Sequence, residues 1–133
     1  MGGEGMRGKT ILLIDDDKDL CEMTKKVLEV YGGYKVVTAP DGKEGIKAAH
    51  MAKPDLILLD INMPQMNGME VLKLLKESAE TIKIPVVMLT AYNEDILKVE
   101  ASQHYNEDYI VKPVKTEDLV DRIEKVLKKR GVK

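Results

Sequence analysis

Phenylalanine and tryptophan are absent from this sequence, and cysteine occurs once, as Cys21. One cysteine excludes an internal disulfide and any cysteine-based zinc cluster. An excess of charge of one sign is lacking as well. The 21 basic and 23 acidic residues are interspersed and leave a net charge of −2, so no nucleic-acid or anionic-membrane footprint is present. No apolar run approaches the roughly 18 residues of a membrane span, and no signal peptide precedes the first apolar run. With the large rings missing, the eight methionines read as adaptable core filler. These absences lead to the expectation of a soluble, cytoplasmic protein with no nucleic-acid and no membrane partner.

What remains is an ordinary globular composition. The chain has 133 residues, 44% apolar and 33% charged, the size of one domain with enough chain to bury a substantial core. Residues 1–8, "MGGEGMRG", are half glycine and carry no apolar pattern. They read as a flexible tail before a domain at 9–130. Gly3, Gly5 and Gly8 match G-x-G-x-x-G, but a dinucleotide fingerprint follows a strand, and this one precedes it.

Beyond the tail, short apolar runs alternate with stretches of helical period. The runs Thr10–Ile14, Lys35–Ala39, Leu56–Leu59, Pro85–Leu89 and Tyr109–Val111 are mostly continuous, as in parallel strands covered on both faces. Between the first two, Leu20, Thr24, Val27, Leu28 and Tyr31 fall on one helical face, and "YGGY" stops that helix. Asp41 and Glu44 form a capping-box pattern. Val71, Leu72 and Leu75 mark a third helix starting near Gly68, and Glu94–Gln103 is a fourth. The last starts at Thr116, with Leu119, Ile123, Val126 and Leu127 on one face and Lys128, Lys129 and Arg130 suiting its C-terminal dipole. The alternation implies right-handed crossovers and a three-layer α/β sandwich. Five strands and five helices suit the flavodoxin-like order 2-1-3-4-5.

In such a sheet the site lies outside the carboxyl ends of the strands. There the sequence places Asp15 and Asp16 after the first strand, Asp60 after the third, Thr90 after the fourth and Lys112 after the fifth. Three carboxylates gathered together repel, which raises at least one pKa unless a cation intervenes. A hard divalent ion such as Mg²⁺ prefers oxygen ligands, and a lysine suits an anion such as phosphate. A carboxylate, a divalent cation, a lysine and a hydroxyl form a phosphoryl-transfer site with the carboxylate as nucleophile.

The motifs "ILLIDDD" at 11–17, "DINMPQMNG" at 60–68, "LTA" at 89–91 and "DYIVKP" at 108–113 resemble, in order and spacing, the receiver domain of two-component response regulators. The likeness runs from about Lys9 to Lys129 and implies the same strand order. It also implies that Asp60 accepts a phosphoryl group from a sensor histidine kinase or phosphotransfer protein, and that Asp15, Asp16, Asp60 and the Asn62 carbonyl hold Mg²⁺ or Mn²⁺, Asp15 mainly through water. Lys112 would pair with Asp60, while Thr90 and Tyr109 would act as the switch, and the Lys112–Pro113 bond would be cis. Asn62 and Tyr92 occupy positions that tune hydrolysis in the family. The chain is then a signalling protein, not an enzyme beyond its own phosphorylation and dephosphorylation. It would be a stand-alone monomer or a weak phosphorylation-dependent dimer, acting on a downstream protein through its fourth helix, fifth strand and fifth helix.

Each signal has a plainer reading. Asp15–Asp17 suit a helix N-cap, and Asp17 alone reads as a cap. Thr90 suits a strand end, Lys112 a turn, and Tyr109 a half-buried core ring. His50 and His104 have no acidic partner nearby in sequence. A calcium loop beginning at Asp15 fails because Leu20 and Lys26 stand where Gly and Glu are needed. Asp15 and Asp17 mimic the D-x-D nucleophile of haloacid-dehalogenase-type phosphatases, although Asp19 departs from that pattern. A non-phosphorylated interaction module is the third alternative. Three residues depart from the receiver pattern: Tyr105–Asn106 replace Gly-Ala, Val114 replaces Phe, and Gly45 replaces Ala at a helix-propensity cost of roughly 1 kcal/mol.

Overall fold

The apolar runs become strands, and their alternating side chains feed two separate cores. A computed structural model describes residues 8–61, 63, 66–90, 108–112 and 115–129. Its strands are β1 (Thr10–Ile14), β2 (Lys35–Ala39), β3 (Leu56–Asp60), β4 (Val86–Thr90) and β5 (Asp108–Val111). All pair in parallel, in the order β2-β1-β3-β4-β5. The first two strands have the expected bounds; β3 and β5 are each one residue longer, at Asp60 and Asp108, and β4 is shifted by one, starting after Pro85, which has no N–H to donate, and ending on Thr90.

Among the described residues the helices are α1 (Lys18–Gly32), α2 (Gly42–Ala52), α3 (Gly68–Lys76) and α4 (Thr116–Lys129). The expected helix Glu94–Gln103 lies outside the described residues. So do Asn62, Tyr92, His104, Tyr105–Asn106, Pro113 with its peptide bond, Val114 and the first seven residues of the tail.

Period-2 alternation sorts the central strands into layers. Ile11, Leu13, Leu56, Leu58, Val87 and Leu89 join Leu28 of α1 and Leu119, Ile123 and Leu127 of α4. Leu12, Ile14, Ile57, Leu59, Val86 and Met88 join Ala49 of α2 and Val71, Leu72 and Leu75 of α3. Every residue of β3 and β4 is buried, and each fully buried Leu or Ile contributes about 1.5–3 kcal/mol. This double burial holds the carboxyl ends of the strands in fixed positions.

The caps follow the sequence signals. Asp17, Asp41 and Asn67 accept from Leu20, Glu44 and Glu70 N–H and open α1, α2 and α3. Gly33 ends α1 at φ 71°, a left-handed conformation that favours glycine.

Three expectations are corrected. Tyr31 is 71% exposed, and Tyr34, at 3%, fills the core instead. The Tyr34 ring covers Gly32, where a β-carbon would stand 2.5 Å from it. Gly45 is not merely a poor helix former, because its β-carbon would meet the Ile14 side chain at 2.5 Å. Met63 is buried, but Met23 and Met51 are 64% and 77% exposed and are not core filler. His50 is a helix residue of α2 as expected, and it meets Glu80, 30 positions on in the chain, with Nδ1 3.2 Å from the carboxylate.

Candidate functional site

Register brings the polar strand ends together. Ile14 is level with Leu59, Asp60 with Leu89, and Thr90 with Val111. The residues that follow in parallel strands therefore emerge at one edge of the sheet. Asp15 extends β1, Asp60 closes β3, Thr90 closes β4, and Lys112 follows β5. The Lys112 N–H donates to the Thr90 carbonyl at 2.7 Å, which fixes where the lysine side chain begins.

Asp15 is 2% exposed and Asp60 is 5% exposed. The Lys112 ammonium reaches both, at 2.9 Å from Asp15 Oδ2 and 3.3 Å from Asp60 Oδ1. The other Asp15 oxygen accepts the Asp17 N–H at 3.0 Å, and the buried Cys21 thiol donates to the Asp15 carbonyl at 3.4 Å. Burial pushes the Cys21 thiol up to about 11, with the Asp15 charge adding to the effect. The thiol therefore stays protonated and able to donate.

Electrostatics mark Asp60 as the unusual acid. Burial pushes its carboxyl from 3.8 up to about 6; Lys112 opposes the rise and the Asp15 charge adds to it. Burial works against the Lys112 ammonium, but its bond to Asp15 and the nearby Asp60 charge outweigh that and raise its pKa. The lysine is thus a permanent cation.

Asp16 is exposed, and one oxygen from each of Asp15, Asp16 and Asp60 lies within 4.8 Å of the others. Three carboxylates faced by one ammonium leave an excess of negative charge in a half-buried site. This all-oxygen donor set fits a hard divalent cation such as Mg²⁺ or Mn²⁺.

The expected constellation of Asp15, Asp16, Asp60 and Lys112 therefore assembles, with Thr90 buried beside it and tied to Lys112 through the main chain. Tyr109 is half-buried on β5 and packs against the core shared with α2 and α3. Asn62 is outside the described residues. Asp17 caps α1 by accepting from Leu20 at 3.1 Å, in keeping with its plainer reading as a cap. Two features had no signal in the sequence: the shorter Lys112 bond goes to Asp15, and Cys21 supports the Asp15 main chain. The first joins residues 97 positions apart, and the second needs the turn into α1 to be known.

Comparison with known proteins agrees with this geometry. The family model described as the response regulator receiver domain matches residues 11–124. The phosphate regulon transcriptional regulatory protein PhoB of Pseudomonas aeruginosa is 38% identical over 126 residues, covering 95% of this chain and 55% of that protein. The alkaline phosphatase synthesis transcriptional regulatory protein PhoP of Bacillus subtilis is 36% identical over 124 residues, covering 93% and 50%. The chain thus spans about half the length of the curated relatives it matches. Among solved structures, a CheY-like response regulator receiver domain protein from Methanospirillum hungatei superposes with a TM-score of 0.84 at 31% identity, covering 93% of this chain and 97% of that one. The N-terminal domain of a response regulator receiver protein from Methanoculleus marisnigri gives 0.73 at 41% identity, covering 89% and 95%.

Proposed function

The chain belongs to the response regulator receiver domain family, and from that premise we propose that it is a signalling switch whose phosphoryl acceptor is Asp60. The donor is a phosphohistidine on a sensor kinase or phosphotransfer protein. The observation that carries this reading is the Lys112 ammonium lying between Asp15 and Asp60 beside a three-carboxylate cluster.

Asp60 attacks phosphorus through a carboxylate oxygen; the P–N bond breaks, a P–O bond forms, and the imidazole leaves. Because its pKa is about 6, Asp60 is mostly ionised near neutral pH and available as the nucleophile. Lys112 holds the carboxylate in place before transfer and pairs with a phosphoryl oxygen after it. Asp15, Asp16 and Asp60, with the Asn62 carbonyl, would hold Mg²⁺ or Mn²⁺, which neutralises the charge on the phosphoryl oxygens. Thr90 offers its hydroxyl to another phosphoryl oxygen, and Tyr109 follows into the space that Thr90 leaves. This differential contact biases a two-state equilibrium. The output is a changed protein-binding surface on β5 and α4, or onward phosphotransfer.

The test is incubation with acetyl phosphate and Mg²⁺, followed by mapping of the labelled residue. Label on Asp60, lost in Asp60→Asn, supports the assignment. Persistent label in that variant overturns it.

A further inference from the structure

Gly68 opens α3 directly against the end of β3. Its N–H donates to the Ile61 carbonyl at 2.8 Å. A β-carbon at this position would stand 2.3 Å from the Asp60 carbonyl oxygen, 2.7 Å from Ile61 Cα and 3.0 Å from the Asp60 carbonyl carbon. All three atoms are main chain, so no side-chain rotation relieves the overlap. The shortest contact falls about 1 Å short of ordinary van der Waals separation.

Neither partner yields easily. Val71, Leu72 and Leu75 anchor α3 in the core. On the other side, β3 is hydrogen-bonded to β1 and β4, and the Ile61 N–H donates to the Leu89 carbonyl at 3.0 Å. A displacement shared equally moves the Asp60 main chain by roughly 0.5 Å, the tolerance within which a reacting group has to be held.

We propose that Gly68 is a positioning residue for Asp60: the missing β-carbon lets the start of α3 press on the Asp60 peptide and sets where the carboxylate meets Lys112. This inference rests on Asp60 being the phosphoryl acceptor. The glycine touches no reacting atom and acts only through the main chain it abuts.

Two other glycines make the claim testable. A β-carbon on Gly32 meets the Tyr34 ring at 2.5 Å, a comparable overlap at the far end of α1. Gly32→Ala therefore reproduces a packing defect without moving Asp60. Gly42→Ala, which meets the Val71 and Met66 side chains, crowds the α2–α3 contact without adding an atom against the Asp60 main chain.

The experiment measures the initial rate of labelling by acetyl phosphate with Mg²⁺ for wild type, Gly68→Ala, Gly32→Ala and Gly42→Ala, alongside each thermal midpoint. The expected result is a roughly 10-fold slower rate in Gly68→Ala, for a misplacement of roughly 0.5 Å where a full ångström can cost about 100-fold, with the other two within about threefold whatever stability they lose. A Gly68→Ala rate within about threefold of wild type overturns the proposal, as does an equal rate loss in all three variants. If Gly68→Ala is unfolded in buffer, the rate is read in trimethylamine N-oxide, which strengthens burial, and the same two outcomes apply. If wild type itself takes no label at Asp60, the acceptor assignment is what fails. A crystal structure of Gly68→Ala then decides the positioning claim, which requires the Asp60 carboxylate to have moved away from Lys112.

Discussion

The Lys112 ammonium donates to the Asp15 carboxylate at 2.9 Å, closing a contact between the two ends of the chain. The same nitrogen reaches Asp60 at 3.3 Å, so one cation is shared between an acid that binds it closely and an acid that holds it loosely. The looser bond leaves Asp60 the easier of the two to free for chemistry.

Removing the cation exposes this arrangement. In Lys112→Gln, two buried carboxylates lose their partner, and the metal-free protein is expected to lose about 2 kcal/mol, the scale of hydrogen bonds to charged groups. Mg²⁺ should then raise the thermal midpoint more than in wild type, because the ion replaces the missing positive charge. Paired melts in EDTA and in Mg²⁺ check this.

The elevated Asp60 pKa makes stability depend on pH in a defined direction. The folded chain holds the Asp60 proton up to about 6, against 3.8 for an ordinary carboxyl. The folded state therefore binds more protons in that window, and this contribution to stability is full below 3.8 and lost as pH rises through 6. Asp60→Asn lacks the contribution. Urea melts in EDTA should show the variant gaining on wild type by on the order of 2 kcal/mol as pH rises from 4 to 7.

Divalent cations should stabilise the wild-type chain by RT ln(1 + [L]/Kd). At a concentration one hundred times Kd this amounts to about 2.7 kcal/mol. Asp16→Asn and Asp60→Asn are expected to abolish most of the shift, and Asp15→Asn to weaken it, since Asp15 would act mainly through water. A calorimetric titration with Mg²⁺ and with Mn²⁺ measures each case.

Gly45→Ala separates local preference from packing. Alanine improves helix propensity by about 1 kcal/mol, but its methyl overlaps Ile14 Cδ1, Cγ1 and Cγ2. Overpacking typically costs 1–3 kcal/mol, so the variant is expected to melt below wild type despite the better helix former. A midpoint above wild type would show that Ile14 has room to move.

The limits of reading the sequence follow the same division between local and distant effects. The strands were legible because a strand buried on both faces writes a continuous apolar run, as in "LILL" and "TILLI", and the acids and lysine that close those strands stand out against it. Asp17 and Asp41 were legible as caps because a cap acts within three residues. The Lys112–Asp15 bond and the His50–Glu80 pair join distant segments and have no local trace. Tyr31 and Tyr34 flank the same glycines, and helical period chose the wrong ring, because the left-handed turn at Gly33 folds Tyr34 back over Gly32. Gly45 against the Ile14 side chain and Gly68 against the Asp60 and Ile61 main chain are close approaches that only the assembled layers create.

The fully interior β3 and β4 have an evolutionary consequence. Asp60 and Thr90 close segments that can scarcely drift without unfolding the molecule, whereas the outward faces of the surrounding helices carry no such constraint. Side chains on those faces can therefore change freely while the Asp60 carboxylate and the Thr90 hydroxyl keep their mutual aim.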